Sequence, residues 1–226
     1  MLDSLFNRFN NIIVFDVETT GTDYRRDEII EIAMLRVEKG LSDYDIVDEY
    51  SSLVKLASNR KLPAIITSLT GITEEQLLKE GAPKEKVCEK ITDILRTNNP
   101  LIVAYNAQFD LCFLYYFLNR FGKNDVLKNV KMLDMLTVYK DRKPYPHKLS
   151  DAAQIYSLET NKIHRALDDA KVTFELLCEM GKELDDLEHY INLFGYNPKF
   201  GVSGPKISSV KYLPQGYDRI KKLYEK

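Results

Sequence analysis

A chain of 226 residues, 44% of them apolar, can bury one generous core, or one core with a tail. Its net charge of −2 excludes binding to nucleic acid or an anionic surface through overall charge, so such contacts must come from local patches. No apolar stretch is long enough to cross a bilayer, Met1–Asn11 lacks the form of a signal peptide, and Cys88, Cys112 and Cys178 give neither zinc spacing nor a disulfide framework. The expectation is a soluble, cytoplasmic protein with free thiols and no membrane partner.

In chain order, Ile12–Val17 is short, β-branched and followed by a Thr-Thr-Gly turn, which predicts a buried strand. Ile29–Val37 and Ile46–Val54 predict two more, and Gly40-Leu41-Ser42-Asp43 suits a hairpin between them, so the three form an antiparallel meander. A short helix over Pro63–Leu69 is ended by Gly71, and Thr73 three residues before Gln76 has capping-box spacing. Val87, Ile91, Ile94 and Leu95 make a helical stripe in Pro83–Arg96. Leu101–Ala104 is a short buried strand, with a helix from Ala107 to Arg120 after it. Val130–Tyr139 starts as a strand at Met132-Leu133 and continues as helix. Lys148–Tyr156 and Ala166–Glu183 are further helices. Strands first, then helices alternating with short strands, predict an α/β fold with a mixed sheet covered by helices.

From Gly195 onward, glycines and prolines break any long element. Lys199, Lys206, Lys211, Arg219, Lys221, Lys222 and Lys226 there stand against only Asp218 and Glu225. With Tyr196, Phe200, Tyr212, Tyr217 and Tyr224, this tail has the means to track a single strand by charge and stacking. A strand-and-loop extension packed on the domain is the favoured reading, because its glycines and prolines suit ordered loops.

Asp16 and Glu18, two apart on a strand, leave the same face at the end of an apolar run. They repel each other and lose hydration, which a divalent cation would offset; a strand that simply ends in water is the alternative. Asp110 opens a helix, where an acid also meets the helix dipole favourably. In His164-Arg165-Ala166-Leu167-Asp168-Asp169-Ala170, Asp169 falls on the helix row of Val172 and Leu176 and points inward, while Asp168 falls on the polar row. An inward carboxylate wants a metal or a His partner. His164 alone is as compatible with a surface histidine. His147 and His189, among charged and loop residues, are structural or solvated.

Together these residues resemble the DEDDh (DnaQ-like) 3′→5′ exonucleases, whose fold is RNase H-like. Phe15-Asp16-Val17-Glu18-Thr19-Thr20-Gly21 is similar to that family's first motif, and Val103-Ala104-Tyr105-Asn106-Ala107-Gln108-Phe109-Asp110 to its second. His164 to Ala170 is similar to the third, and Leu69-Thr70-Gly71-Ile72-Thr73 is also familiar from it. The likeness spans residues 10 to 180 and extends to the proofreading exonucleases of bacterial replicative DNA polymerases. Tyr105 departs from the pattern, which usually has His there. The resemblance implies an exonuclease domain over 1–184; the charged helical stretch Asp185 to His189 and the basic, aromatic, Gly- and Pro-containing tail make 185–226 a C-terminal helix and extension.

By the same resemblance, two Mg²⁺ (or Mn²⁺) ions are expected. Asp16 would bridge them, Glu18 and Asp169 would complete one, and Asp110 would help hold the other. His164 would take the proton of the attacking water. Thr19 and Thr20 would meet the terminal sugar through N–H and hydroxyl donors, Leu69 would wedge against terminal bases, and Tyr105 and Asn106 would lie beside the substrate. The expected activity is release of nucleoside 5′-monophosphates from single-stranded 3′ ends in replication or repair, DNA favoured over RNA, alone or beside a DNA polymerase in trans. An RNA-trimming enzyme of the same family is the alternative. A catalytically inactive polymerase-accessory or nucleic-acid-binding module would be expected to have lost at least one of the five residues. A haloacid-dehalogenase-like phosphatase needs Asp where Glu18 stands and leaves His164 without a role.

Overall fold

A computed structural model describes residues 2–41, 44–160, 164–216 and 221–226. Strands β1 (Asn11–Thr19), β2 (Ile29–Lys39) and β3 (Tyr44–Leu53) pair antiparallel in succession, as the predicted meander requires. Ser42 and Asp43 of the expected hairpin lie outside the described residues. Strands β4 (Pro100–Ala104) and β5 (Lys131–Asp134) add in parallel on the other side of β1, giving the order β3-β2-β1-β4-β5. β1 is therefore paired on both edges and covered on both faces, and its continuous apolar run is what such a position demands.

The helices follow as α1 (Asp3–Phe6), α2 (Ala64–Thr70), α3 (Glu74–Lys79), α4 (Lys84–Leu95), α5 (Ala107–Asn119), α6 (Met135–Arg142), α7 (Leu149–Ile155) and α8 (Ala166–Glu183). The two-residue period of the strands sorts the core into two layers. Ile12, Val14, Leu35 and Val103 pack with Val138 of α6, Ala152 of α7 and Leu176 of α8. Ile13, Phe15, Met34 and Ile102 pack with Ile91 of α4 and Leu114 of α5. α2 ends at Gly71 with φ 69°, a left-handed conformation that glycine adopts without strain. The capping box before α3 has both halves: Gln76 N–H donates to Thr73 Oγ1 at 3.2 Å and Thr73 N–H to Gln76 Oε1 at 2.9 Å. Among the described residues no helix is long and apolar enough to cross a membrane.

The segment after Glu183 corrects one expectation. Among the described residues no α-helix forms there; Leu187–Tyr190 and Leu223–Glu225 make 3₁₀ turns. Its side chains serve tertiary bonds instead, with Tyr190 Oη donating to Asp141 at 2.6 Å and Asp186 paired with Arg142. Strands β6 (Leu193–Tyr196) and β7 (Lys211–Pro214) then pair parallel as a separate two-stranded sheet. Leu187, Tyr190, Leu193 and Leu223 join the core layer of α8, so these stretches of the tail pack on the body. Tyr217, Asp218 and Arg219 lie outside the described residues.

Asp134 fixes where two helices begin. It ends β5, caps α6 through Leu136 N–H and Thr137 N–H, both at 3.2 Å, and accepts the N–H of Ala107, the first residue of α5, at 3.0 Å. Thr137 Oγ1 donates to it as well, at 2.6 Å, and its side chain is buried, so an alanine there leaves four donors without this acceptor. Asp134→Ala is expected to lower the unfolding free energy by roughly 2–4 kcal/mol, read from a shifted urea midpoint at unchanged slope.

Candidate active site

The parity that places Ile12 and Val14 under α8 carries Asp16 and Glu18 onto the same face at the end of β1. Parallel pairing brings the C-terminal end of β4, and hence the start of α5, to the same edge of the sheet. Asp110, in the first turn of α5, is 3% exposed and accepts the N–H of Val17 at 3.2 Å. Asp169 comes from the first turn of α8. Carboxylate oxygens of Asp16, Glu18 and Asp169 lie within 4.8 Å of one another. Asp110 lines the same cavity, outside that trio; the cavity holds about 320 Å³. His164 Nδ1 stands 3.0 Å from Asp169 Oδ2, its ring 55% exposed, and its backbone N–H donates to the Leu69 carbonyl at 3.3 Å.

The electrostatics follow from crowding acids in a partly dry cleft. Burial, then the charges of Asp110, Asp169 and Glu18, hold Asp16 well above the usual carboxylate range. Burial also raises Asp110, against the N–H bonds it accepts. Glu18 is pushed up to about 7 by burial and by Asp169, with His164 opposing. Asp169 is raised by burial and held back by His164. Four hard oxygen donors that cannot comfortably all ionise fit divalent cations, whose charge would remove the repulsion.

The other expected residues separate. Thr19, Leu69, Tyr105 and Asn106 line the cavity, whereas Thr20 is not among its lining residues. Thr20 N–H donates to the Glu28 carbonyl at 2.9 Å, and its hydroxyl bonds Asp27 and the Glu28 N–H, both at 3.0 Å, so its expected free donors are already used. Thr19 keeps a place on the wall, but its hydroxyl donates to the Gly21 carbonyl at 2.6 Å. Tyr105 presents its ring, with its hydroxyl given to the His147 carbonyl at 2.8 Å. His147 serves structure, its Nε2 lying 3.1 Å from the Lys143 carbonyl oxygen.

A scan against family models matches residues 13–177 to RNase_T, described as Exonuclease. The chain belongs to this exonuclease family. It is 31% identical over 189 residues to DNA polymerase III subunit epsilon of Aquifex aeolicus, covering 81% of this chain and 86% of that protein. It is 36% identical over 221 residues to the PolC-type DNA polymerase III of Clostridium perfringens, covering 94% of this chain but 14% of that protein. The PolC-type protein of Caldanaerobacter subterraneus matches at 33% over 77% of this chain and 12% of its own length, so the chain spans a small part of such relatives. Among solved structures, Escherichia coli exonuclease I in complex with a dA16 oligonucleotide superposes with a TM-score of 0.71 at 18% identity, over 80% of this chain and 42% of that one. That likeness concerns the RNase H-like exonuclease fold.

One pair beside these residues escaped the sequence reading. Glu31 on β2 stands opposite Glu18 in the β1–β2 register and is 1% exposed. It accepts Arg165 Nε at 3.0 and 3.1 Å, an Arg165 terminal nitrogen at 2.6 Å, and the Ala166 N–H at 3.0 Å. This bidentate clamp fixes the residue after His164 and the first turn of α8, which carries Asp169. Strand parity puts Glu31 on the row of Ala33 and Leu35, the face that Glu18 shares, but nothing local pairs it with Arg165. Arg165→Ala is expected to lower nuclease kcat by about 10–100-fold, and Arg165→Lys to restore only part of it, measured in single-turnover assays below the variants' melting temperatures.

The raised carboxylates make a second expectation. A carboxyl whose folded pKa lies above its unfolded value stabilises the fold at low pH and loses that contribution as pH rises through the folded value. For Glu18 the window runs from its ordinary 4.5 to about 7. Without divalent cations, wild-type Tm relative to Glu18→Gln should therefore fall between pH 5 and pH 8. Saturating Mg²⁺ or Mn²⁺ should reverse the fall at pH 8, as read by calorimetry with and without EDTA.

Proposed function

We propose that the chain is a metal-dependent 3′→5′ exonuclease that releases nucleoside 5′-monophosphates from single-stranded DNA ends. The observation that carries this reading is the Asp16, Glu18 and Asp169 trio within 4.8 Å, with His164 bonded to Asp169. The match to an epsilon subunit over most of that protein's length supports DNA as the polymer and a DNA polymerase as a partner in trans. Residues 1–184 would carry the chemistry, with 185–226 as an extension.

In this reading Asp16, Glu18 and Asp169, with Asp110 beside them, would hold the Mg²⁺ or Mn²⁺ ions. Two such cations supply Lewis-acid charge that favours a nucleophilic water and stabilises a departing oxygen. The protein's own groups do the rest. With Nδ1–H donated to Asp169, His164 presents Nε2 as the base. It accepts a proton from water as the water oxygen bonds to phosphorus; the bond from phosphorus to the 3′-oxygen breaks, and that oxygen leaves with a proton from solvent. Ile66 and Leu69 supply an apolar wall for the terminal base, and the Tyr105 ring another. Because the His164 N–H bonds the Leu69 carbonyl, the wall that meets the base also holds the residue that takes the proton.

The test is digestion of matched 5′-labelled single-stranded DNA and RNA with Mg²⁺ or Mn²⁺. Wild type should give a 3′-shortening ladder, faster on DNA, that EDTA abolishes. His164→Ala should lower kcat by about 10²–10⁴-fold, and Asp16→Ala should remove metal-dependent cleavage. A faster ladder on RNA would reassign the polymer, and binding without any ladder would sink the enzyme reading.

A further inference from the structure

A basic, aromatic rim packs against two elements that wall the cavity and takes no part in the chemistry above. The loop of residues 197–210, between β6 and β7, lies against the first turn of α5. Gln108 Nε2 donates to the carbonyls of Ser203 and Pro205 at 2.8 and 2.9 Å, and Tyr212 Oη donates to Gln108 Oε1 at 2.6 Å. The next two residues, Phe109 and Asp110, line the cavity. On its other side the loop meets the β1–β2 connection. Gly204, at φ 78°, lies so near Tyr24 that a Cβ there would sit 3.0 Å from a ring carbon. Tyr24 packs on Tyr116 with ring centres 5.0 Å apart, and it follows Gly21 and Thr22 of the cavity wall closely in sequence. Three segments, two of them cavity walls, are thus joined around one edge.

That edge carries cations beside three rings, of which Phe200 is open and Tyr24 and Tyr212 are partly buried. Phe200 is 76% exposed, with Lys199 Nζ 5.3 Å from its ring centre. Lys206 Nζ lies 5.8 Å from the Tyr212 ring, and the Arg25 guanidinium 5.6 Å from that of Tyr24. Among the described residues none of Lys199, Lys206 and Arg25 makes an ion pair, although acids outnumber bases in the chain, 34 to 32; Arg25 bonds the Tyr116 side chain. Phosphates matched to unpaired cations and bases matched to exposed rings are how proteins hold a single strand without reading its sequence.

We propose that loop 197–210, with Tyr24 and Arg25, binds the strand on the 5′ side of the nucleotide being removed. Lys199, Lys206 and Arg25 meet its phosphates, and Phe200 stacks a base. The inference rests on the exonuclease reading and adds to it a surface that converts strand length into affinity.

The full chain carrying Lys199→Ala, Phe200→Ala and Lys206→Ala, all exposed positions, is compared with wild type on two substrates. One is a 12-nucleotide DNA strand; the other is an aryl ester of thymidine 5′-monophosphate, which ends at the scissile phosphate. The ratio of kcat/KM, strand over ester, should fall about tenfold or more in the variant, through KM. Each lysine removed should also flatten the dependence of log KM on log salt by about 0.7. An unchanged ratio overturns the proposal. Failure of wild type on both substrates overturns the exonuclease reading instead. Binding of the same strand in EDTA, followed by fluorescence anisotropy, then decides the rim by itself: weaker binding by the variant supports it, and equal binding overturns it.

Discussion

Mutual repulsion among carboxylates is the constraint around which this molecule is arranged. Asp16, Glu18, Asp110 and Asp169 come from three elements and meet at one end of the central strand, where burial raises all four above the normal range and their mutual charge adds to this at Asp16, Glu18 and Asp110. A free chain would let them separate. Here β1 cannot yield, because it is hydrogen-bonded on both edges and packed on both faces. Asp110 cannot swing away, since its carboxylate takes the Val17 N–H and its helix start is pinned through Ala107 to Asp134. The repulsion is therefore held in place by the core, which is the preorganisation that a cation site and a phosphoryl-transfer site both need.

The second layer of control is a fifth acid of opposite purpose. Glu31 is as buried as Asp110, and Arg165 and the Ala166 N–H meet its charge directly. One neighbouring pair of residues on the β1–β2 ladder thus holds both an acid left uncompensated and an acid fully compensated, Glu18 and Glu31. The compensated one anchors the start of α8, and α8 delivers Asp169. Charge satisfied on one rung positions charge left unsatisfied on the next.

How far the sequence discloses this depends on the range of the interaction. Asp16 and Glu18 were legible because a two-residue period needs only the strand itself. Asp169 was legible because one helix row separates it from Asp168, and the structure turns it to His164. The meander, the capping box at Thr73 and the strand-to-helix change at Asp134 and Met135 were likewise local matters. The Glu31–Arg165 clamp joins positions 134 apart, and no local pattern announces it. Thr20 was misjudged for a related reason: its turn folds back on Asp27 and Glu28, so the donors that looked free are spent within the loop. The segment after Glu183 read as helix from its charged residues, but Asp186 and Tyr190 serve Arg142 and Asp141, bonds to residues more than forty positions away.

The tail extends the same logic from chemistry to substrate. Its strands are short and broken by glycine and proline, so its order comes from contacts with the body: Gly195 N–H on Thr137 Oγ1, Gln215 on the Thr137 carbonyl, and Gln108 on the loop carbonyls. Thr137 is itself bound by Asp134, the residue that starts α5. The basic loop and the catalytic helix are thus referenced to one buried carboxylate, and a displacement of that point would move both. A strand lying on the loop would consequently meet the cavity in a fixed register. Repeated trimming of a uniform polymer asks for this arrangement, since each shortened end must re-enter the same geometry as the last.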